Sequence, residues 1–132
     1  EEGVTRAEAV KELILQPQSD IEQVRRYLYA HGFTIVKNEI VFEDGKYYFV
    51  IKSVPKSCDK NPIDVYYRYG ESLIRENNPV LRAYLEKEQR VYHQIEASLM
   101  AQEETSAIEE RKRELREKQK IVTIALEEMN AL

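Results

Sequence analysis

Apolar and polar positions follow different periods in different parts of this chain, and the changes of period mark its elements. Leu13-Ile14-Leu15 is a short, fully apolar run stopped by Gln16-Pro17. Such a run suits a strand buried on both faces, as in a parallel sheet. Ahead of it, Thr5 with Glu8 three residues on is a capping-box pattern for a short helix over roughly residues 6–11. Ser19 with Glu22 repeats that pattern and opens a helix on which Ile21, Val24 and Leu28 share a face, with Gly32 as its stop. Phe33 to Phe42 then alternates loosely, Glu43-Asp44-Gly45-Lys46 forms a turn, and Tyr47 to Val54 returns. This predicts a β-hairpin.

Beyond Val54 the period changes. Pro55 to Pro62 is a polar connector, which divides the chain into residues 1–57 and 58–132. After Asn78-Pro79, a helix start, Leu81, Glu88 and Ile95 are spaced seven apart, with Leu85, Tyr92 and Leu99 as a second row. Ile108, Leu115, Val122 and Met129 make a third such row. From Ile95 to Ile108, at about 100° per residue, the stripe swings to the opposite face of a continuous helix. The helix must therefore break near 102–106, where Ser106 with Glu109 supplies another capping box. The result is an antiparallel helical hairpin with coiled-coil spacing.

Composition narrows the class. With 132 residues, 42% hydrophobic and 33% charged, the chain is too apolar for a disordered tail and too short for a large enzyme. It has no apolar run of membrane-spanning length and no signal-peptide pattern, so a soluble, cytoplasmic protein is expected, and the single Cys58 excludes an internal disulfide. The net charge of −4 argues against indiscriminate binding to polyanions. That charge is uneven, however: residues 52–90 carry 8 basic against 6 acidic side chains, a local +2. The chain starts at Glu1, inside what reads as a helix, and is expected to be part of a longer protein.

An apolar strand, a helix and a hairpin make a poor domain alone. In this order they form the usual ending of a doubly wound sheet whose last strand inserts antiparallel, as in Rossmann-like methyltransferases. Particular residues go further. Leu13-Ile-Leu-Gln-Pro17, the helix ending Leu28-Tyr29-Ala30-His31-Gly32-Phe33, then Glu39-Ile40 and Glu43-Asp44-Gly45-Lys46-Tyr47-Tyr48 resemble the TrmK family of bacterial tRNA methyltransferases. Tyr69-Gly70-Glu71-Ser72-Leu73, Asn78-Pro79-Val80 and the helices after them are similar to that family's C-terminal region. The resemblance implies the C-terminal part of an S-adenosylmethionine-dependent enzyme that methylates N1 of adenosine 22 in tRNA, with a coiled-coil domain positioning the tRNA. It puts the cofactor loop upstream of residue 1. Gly3, Gly32, Gly45 and Gly70 are isolated, and none of them forms a dinucleotide-type loop. Where the family often has Asn after Gln-Pro, this chain has Gln18.

Candidate sites follow. Gln16-Pro17-Gln18 lies past the carboxyl end of a strand, where open α/β sheets hold ligands. Its amides can pair with a purine edge, or the segment simply ends the strand. Lys52, Lys56, Lys60, Arg68 and Tyr69 interleave basic and aromatic groups in the pattern that neutralises phosphates and stacks bases; the alternative is tyrosines packed at the junction beside solvated lysines. Arg111-Lys112-Arg113, Arg116, Lys118 and Lys120 offer a second basic stretch, diluted by Glu110, Glu114 and Glu117 into an ordinary solvated helix face. His31, His93 and Cys58 lack metal-ligand spacing, so no metal is expected, and no catalytic residue can be named. A different class of function competes: a non-catalytic helical module binding a partner protein, or a second copy, through the 81–129 heptads.

Overall fold

The computed structural model describes residues 12–57 and 62–131. The Thr5 capping box, Cys58 and Lys60 lie outside the described residues. Three strands, β1 (Leu13–Leu15), β2 (Thr34–Glu43) and β3 (Lys46–Val54), form a sheet in the order β1-β3-β2. Both pairings are antiparallel, with Leu15 opposite Ile51 and Glu43 opposite Lys46. The last strand is thus inserted between the other two.

The hairpin closes on Asp44-Gly45, both at positive φ (51° and 78°), as a two-residue type I′ turn requires. A bulge between Ile35 and Lys37 shifts the register by one residue. Because side chains alternate faces, that extra residue passes the inward role from Ile35 to Asn38 and Ile40. The loose alternation of this strand has that cause. Among the described residues the neighbour of β1 is the antiparallel β3, and Ile14 is 64% exposed. The described residues cover one face of β1 and leave the other open.

Helix α1 (Ile21–Ala30) packs on the covered face. Leu28, Phe33 and Ile51 form a buried cluster with Leu13, Leu15, Ile21, Val24 and Ile35 against it. The Ser19 capping box does not form. Asp20 occupies the cap in a left-handed conformation, without a side-chain bond, and the Glu22 carboxylate turns instead to Arg26 at 2.9 Å and Arg68 at 3.6 Å. At the other end the Phe33 amide donates to the Leu28 carbonyl (2.9 Å), a Schellman stop reinforced by packing between the same two residues.

Two short helices, α2 (Asp64–Tyr69) and α3 (Glu71–Arg75), lead to α4 (Pro79–Met100) and α5 (Ser106–Asn130). Asn78 caps α4, its side-chain oxygen accepting from Val80 and Leu81 amides at 2.9 and 3.0 Å. Residue 105, one earlier than expected, caps α5: the Thr105 hydroxyl accepts from the Ile108 amide at 3.2 Å. The helix breaks over 101–105, where the swing of the apolar stripe demands it. Leu81 and Leu85 bury against Val122, Ala125 and Met129, while Leu99 meets Ile108 and Leu115, so α4 and α5 run antiparallel. The Ile108–Leu115–Val122–Met129 row is wholly buried; Ile95 remains partly exposed. The largest core crosses the expected boundary, because Ile40 and Phe49 of the sheet join Val65, Tyr69, Leu73 and Ile74 as well as the hairpin.

Candidate functional site at the sheet–helix junction

The junction is organised by a buried arginine. Arg25 stands on the apolar face of α1, four residues after Ile21 and three before Leu28, and is 1% exposed. Its Nε donates to Asn38 Oδ1 (3.1 Å), and its Nη1 donates to the carbonyls of Tyr67 (2.8 Å) and Arg68 (2.7 Å). The Phe49 ring lies 5.5 Å away. Those carbonyls belong to the last turn of α2, where the helix dipole favours a cation. Desolvation lowers the Arg25 pKa to about 10, with Tyr29 and Glu22 opposing the shift.

The chain turns from α2 into α3 at Gly70, with φ 96°. A Cβ there would sit 2.8 Å from Asn38 Cγ, so the residue is excluded from bearing a side chain by backbone and neighbour alike. Asn38 in turn donates to Ser72 Oγ at 3.4 Å. A second polar chain runs outward from here. Arg68 Nε donates to the Tyr69 hydroxyl (3.4 Å), which donates to Glu88 Oε1 (2.9 Å); Tyr92 donates to Glu88 Oε2 (3.4 Å). Burial, then the Glu88 charge, raises the pKa of Tyr69, Tyr84 and Tyr92. Glu88, which interrupts the heptads, is held in the seam by these hydroxyls. Tyr84 meets Tyr47, Phe49 and Tyr69 edge-on, tying α4 to the sheet through aromatic contacts.

Between the first turn of α1 and α4 opens a cleft of about 330 Å³, lined among others by Asp20, Ile21, Phe49, Arg68, Tyr69 and Tyr84. It lies just after the loop that leaves the carboxyl end of β1. Gln16 and Gln18 of that loop are exposed and Pro17 is half-buried. Arg68 faces the cleft, partly exposed, between Glu22 and Tyr69. Tyr69 is 2% exposed, and its ring packs rather than offering a face for stacking. Lys56 is exposed in the segment after β3. Lys52 stands opposite Ile14 and Lys37, on the sheet face away from Phe49, and pairs with Glu12 at 3.2 Å. The structure therefore brings Arg68 and Tyr69 together and puts Lys52 elsewhere.

At the far end of the hairpin Lys112 pairs with Glu104 and Arg113 with Glu110. His31 stacks on Tyr27, and His93 is exposed on α4. Among the described residues no group of three His, Cys, Asp or Glu side chains could hold a metal, and no helix is long and apolar enough to cross a membrane. Gly32, Gly45 and Gly70 sit at a helix end, a hairpin tip and a helix–helix junction, and the strand-to-helix turn after β1 has no glycine.

Glu88 stood out in the sequence only as a charge within the heptads and Gly70 only as part of the Tyr69–Leu73 motif, while Arg25 and Asn38 were not singled out. Two carried a signal: Arg25 falls on an apolar helical stripe, and Glu88 falls in an apolar heptad row, where a charge must find partners.

A three-stranded antiparallel sheet with helices packed on it, joined to a helical hairpin, defines a mixed α/β protein. Residues 1–123 match the TrmK family, described as tRNA (adenine(22)-N(1))-methyltransferase, and the chain belongs to that family. Streptococcus pneumoniae Sp1610, described as a candidate tRNA (m1A22) methyltransferase, is 28% identical at a TM-score of 0.74, over 95% of this chain and 53% of that one. Its complex with S-adenosyl-L-methionine is 27% identical at 0.71, over 95% and 51%. A Streptococcus agalactiae protein of the NADB-Rossmann superfamily shares the fold at 0.73, with 22% identity over 95% and 52%. The chain spans about half the length of these solved relatives. No curated protein matches it.

Proposed function

We propose that this chain is the C-terminal part of an S-adenosylmethionine-dependent tRNA methyltransferase acting on N1 of adenine 22, with residues 1–57 completing the methyltransferase sheet and 58–132 forming a coiled-coil domain that positions tRNA. The observation that carries this reading is the family match over residues 1–123, which spans both the sheet end and the hairpin. A stand-alone interaction module is disfavoured by the core, since the hairpin base buries Leu81, Leu85 and Met129 in the same cluster as Ile40 and Phe49.

Adenine N1 presents a lone pair, so methylation needs no general base. It needs the base extruded, held edge-on to the donor methyl, and left with a positive charge as product. In this reading the exposed amides of Gln16 and Gln18 meet the purine edge beside Pro17, and Arg68 with Lys56 meets the RNA backbone. Lys52 acts from the other sheet face, and Tyr69 acts as the packed support of Arg68. In this reading the methyl donor is held by residues outside those described.

The test is methyl transfer by the full-length protein to an unmodified tRNA transcript and to the same transcript with A22 replaced by G. Methylation of the first alone is expected. Equal methylation of both would overturn the assigned position, and no transfer to either would overturn the activity.

A further inference from the structure

Arg25 is the only charged side chain buried among the described residues, and its three hydrogen bonds go to neutral acceptors. Its Nη2 has no partner. Burying a cation without a bonded carboxylate is unfavourable, and a well-packed apolar side chain would fill the same space without that penalty. What the guanidinium adds is geometry. Its planar fork fixes directions that a flexible ammonium does not. One arm reaches the bulged strand at Asn38, and the other grips the Tyr67 and Arg68 carbonyls. The second of those, at 2.7 Å, belongs to the residue whose side chain stands in the cleft. Gly70, pressed against Asn38, closes the same cluster from the other side. The backbone of Arg68 is therefore held from beneath, while its side chain stands partly exposed at the cleft between Glu22 and Tyr69.

We infer that Arg25 is a positioning residue for Arg68, fixing the last turn of α2 so that the Arg68 guanidinium meets an RNA phosphate at the cleft. This rests on the reading of Arg68 as an RNA contact. Arg25 itself touches no RNA; it acts through the Tyr67 and Arg68 carbonyls.

The experiment is a double-mutant cycle in the full-length protein, reading the affinity for a tRNA transcript as a function of salt concentration. Loss of one phosphate contact lowers the slope of log affinity against log salt by about one. R68A is expected to lower the slope by that amount. R25K, which keeps the charge and loses the fork, is expected to lower it equally, and the double variant to be no worse than either single one. A loss of fold stability alone leaves the slope of the folded fraction unchanged. If R25K leaves the slope intact, or its effect simply adds to that of R68A, the positioning role is overturned. If R68A itself leaves the slope intact, the reading of Arg68 fails, and this inference with it. Should R25K not fold, N38A, which frees one arm of the fork, takes its place in the same cycle with the same outcomes.

Discussion

The two ends of the helical hairpin solve the same packing problem with unequal means. At the base, Leu81, Leu85, Val122, Ala125 and Met129 are buried from three sides: by each other, by the sheet through Ile40 and Phe49, and by the short helices through Val65, Leu73 and Ile74. The polar chain from Arg68 through Tyr69 to Glu88 runs along the edge of that core. At the tip, the buried residues are Leu99, Ile108 and Leu115, flanked by Tyr92 and surrounded by exposed charges. The base is continuous with the sheet, whereas the tip is held by a seam between two helices. Local stability should fall from base to tip, since segments with few buried contacts open first.

The largest expected effect sets the two ends against each other directly. Leu85→Ala removes a fully buried side chain from a site enclosed on several sides, and should lower the unfolding free energy by about 2–5 kcal/mol in denaturant titration. Leu99→Ala removes the same atoms where two helices can close on the gap. It should cost less, with lost hydrogen-exchange protection confined to the tip. Equal global losses for both would mean that the hairpin is uniformly stable along its length.

Gly70→Ala comes next and concerns the base alone. A left-handed position held by a non-glycine residue costs on the order of 1–3 kcal/mol, and the new Cβ also displaces Asn38. The steric part is separable: adding Asn38→Ala should recover stability relative to the sum of the two single effects. Strict additivity would show that the backbone conformation carries the whole cost.

The difference between the ends also marks what could be read in the sequence. The tip and the whole Ile108–Met129 row follow a heptad spacing that needs no knowledge of the rest of the molecule, and the break over 101–105 follows from the swing of that spacing. The hairpin turn was equally legible, because Asp44-Gly45 is a local signal. The base was not. Arg25 finds its acceptors 13, 42 and 43 residues away, and the Tyr69–Glu88 bond spans 19. Such pairings leave only a mismatch in the pattern, a charge on an apolar stripe, with no indication of the partner. Lys52 and Arg68 read as one basic cluster for the same reason. Their opposite placement depends on which sheet face the short helices cover, and of the two readings open for Tyr69, stacking or packing at the junction, its burial fits the second. The helices begin near Ser19 and Ser106 as their spacing predicts, but Asp20 and Thr105 occupy the caps one residue away.

Raising the pH should weaken the base before the tip. Burial and the Glu88 charge raise the pKa of Tyr69, Tyr84 and Tyr92, so these hydroxyls stay protonated in the folded protein after the unfolded chain has begun to lose its protons, near pH 10. Their contribution is fully present below that value and is lost as the pH climbs toward their raised folded pKa. Burial lowers the Arg25 pKa, but a guanidinium keeps its proton over this range, so Arg25 does not offset the tyrosines. The three raised tyrosines predict a fall in stability above pH 10, shallower in Tyr69→Phe. A melting temperature independent of pH in that range would remove the tyrosine cluster from the account.

The smallest effects are the sharpest probe of whether base and tip are separate units. Asn78 and Thr105 cap α4 and α5 by the same chemistry, a side-chain oxygen accepting backbone amides, and replacing either by Ala should cost about 1 kcal/mol in its own helix. Asn78 lies beside Leu81 at the base, so its loss should appear in full in global unfolding. Thr105 lies at the tip, where its amide partner is Ile108; if the tip opens before the rest, a cap lost there is already broken in the partly open state. Thr105→Ala should then raise hydrogen exchange around 105–112 about fivefold, the equivalent of about 1 kcal/mol, while the global denaturation midpoint stays near that of the parent. A global loss from Thr105→Ala as large as that from Asn78→Ala would show that the tip unfolds only with the base, and the sheet's stability would then extend along the full length of both helices.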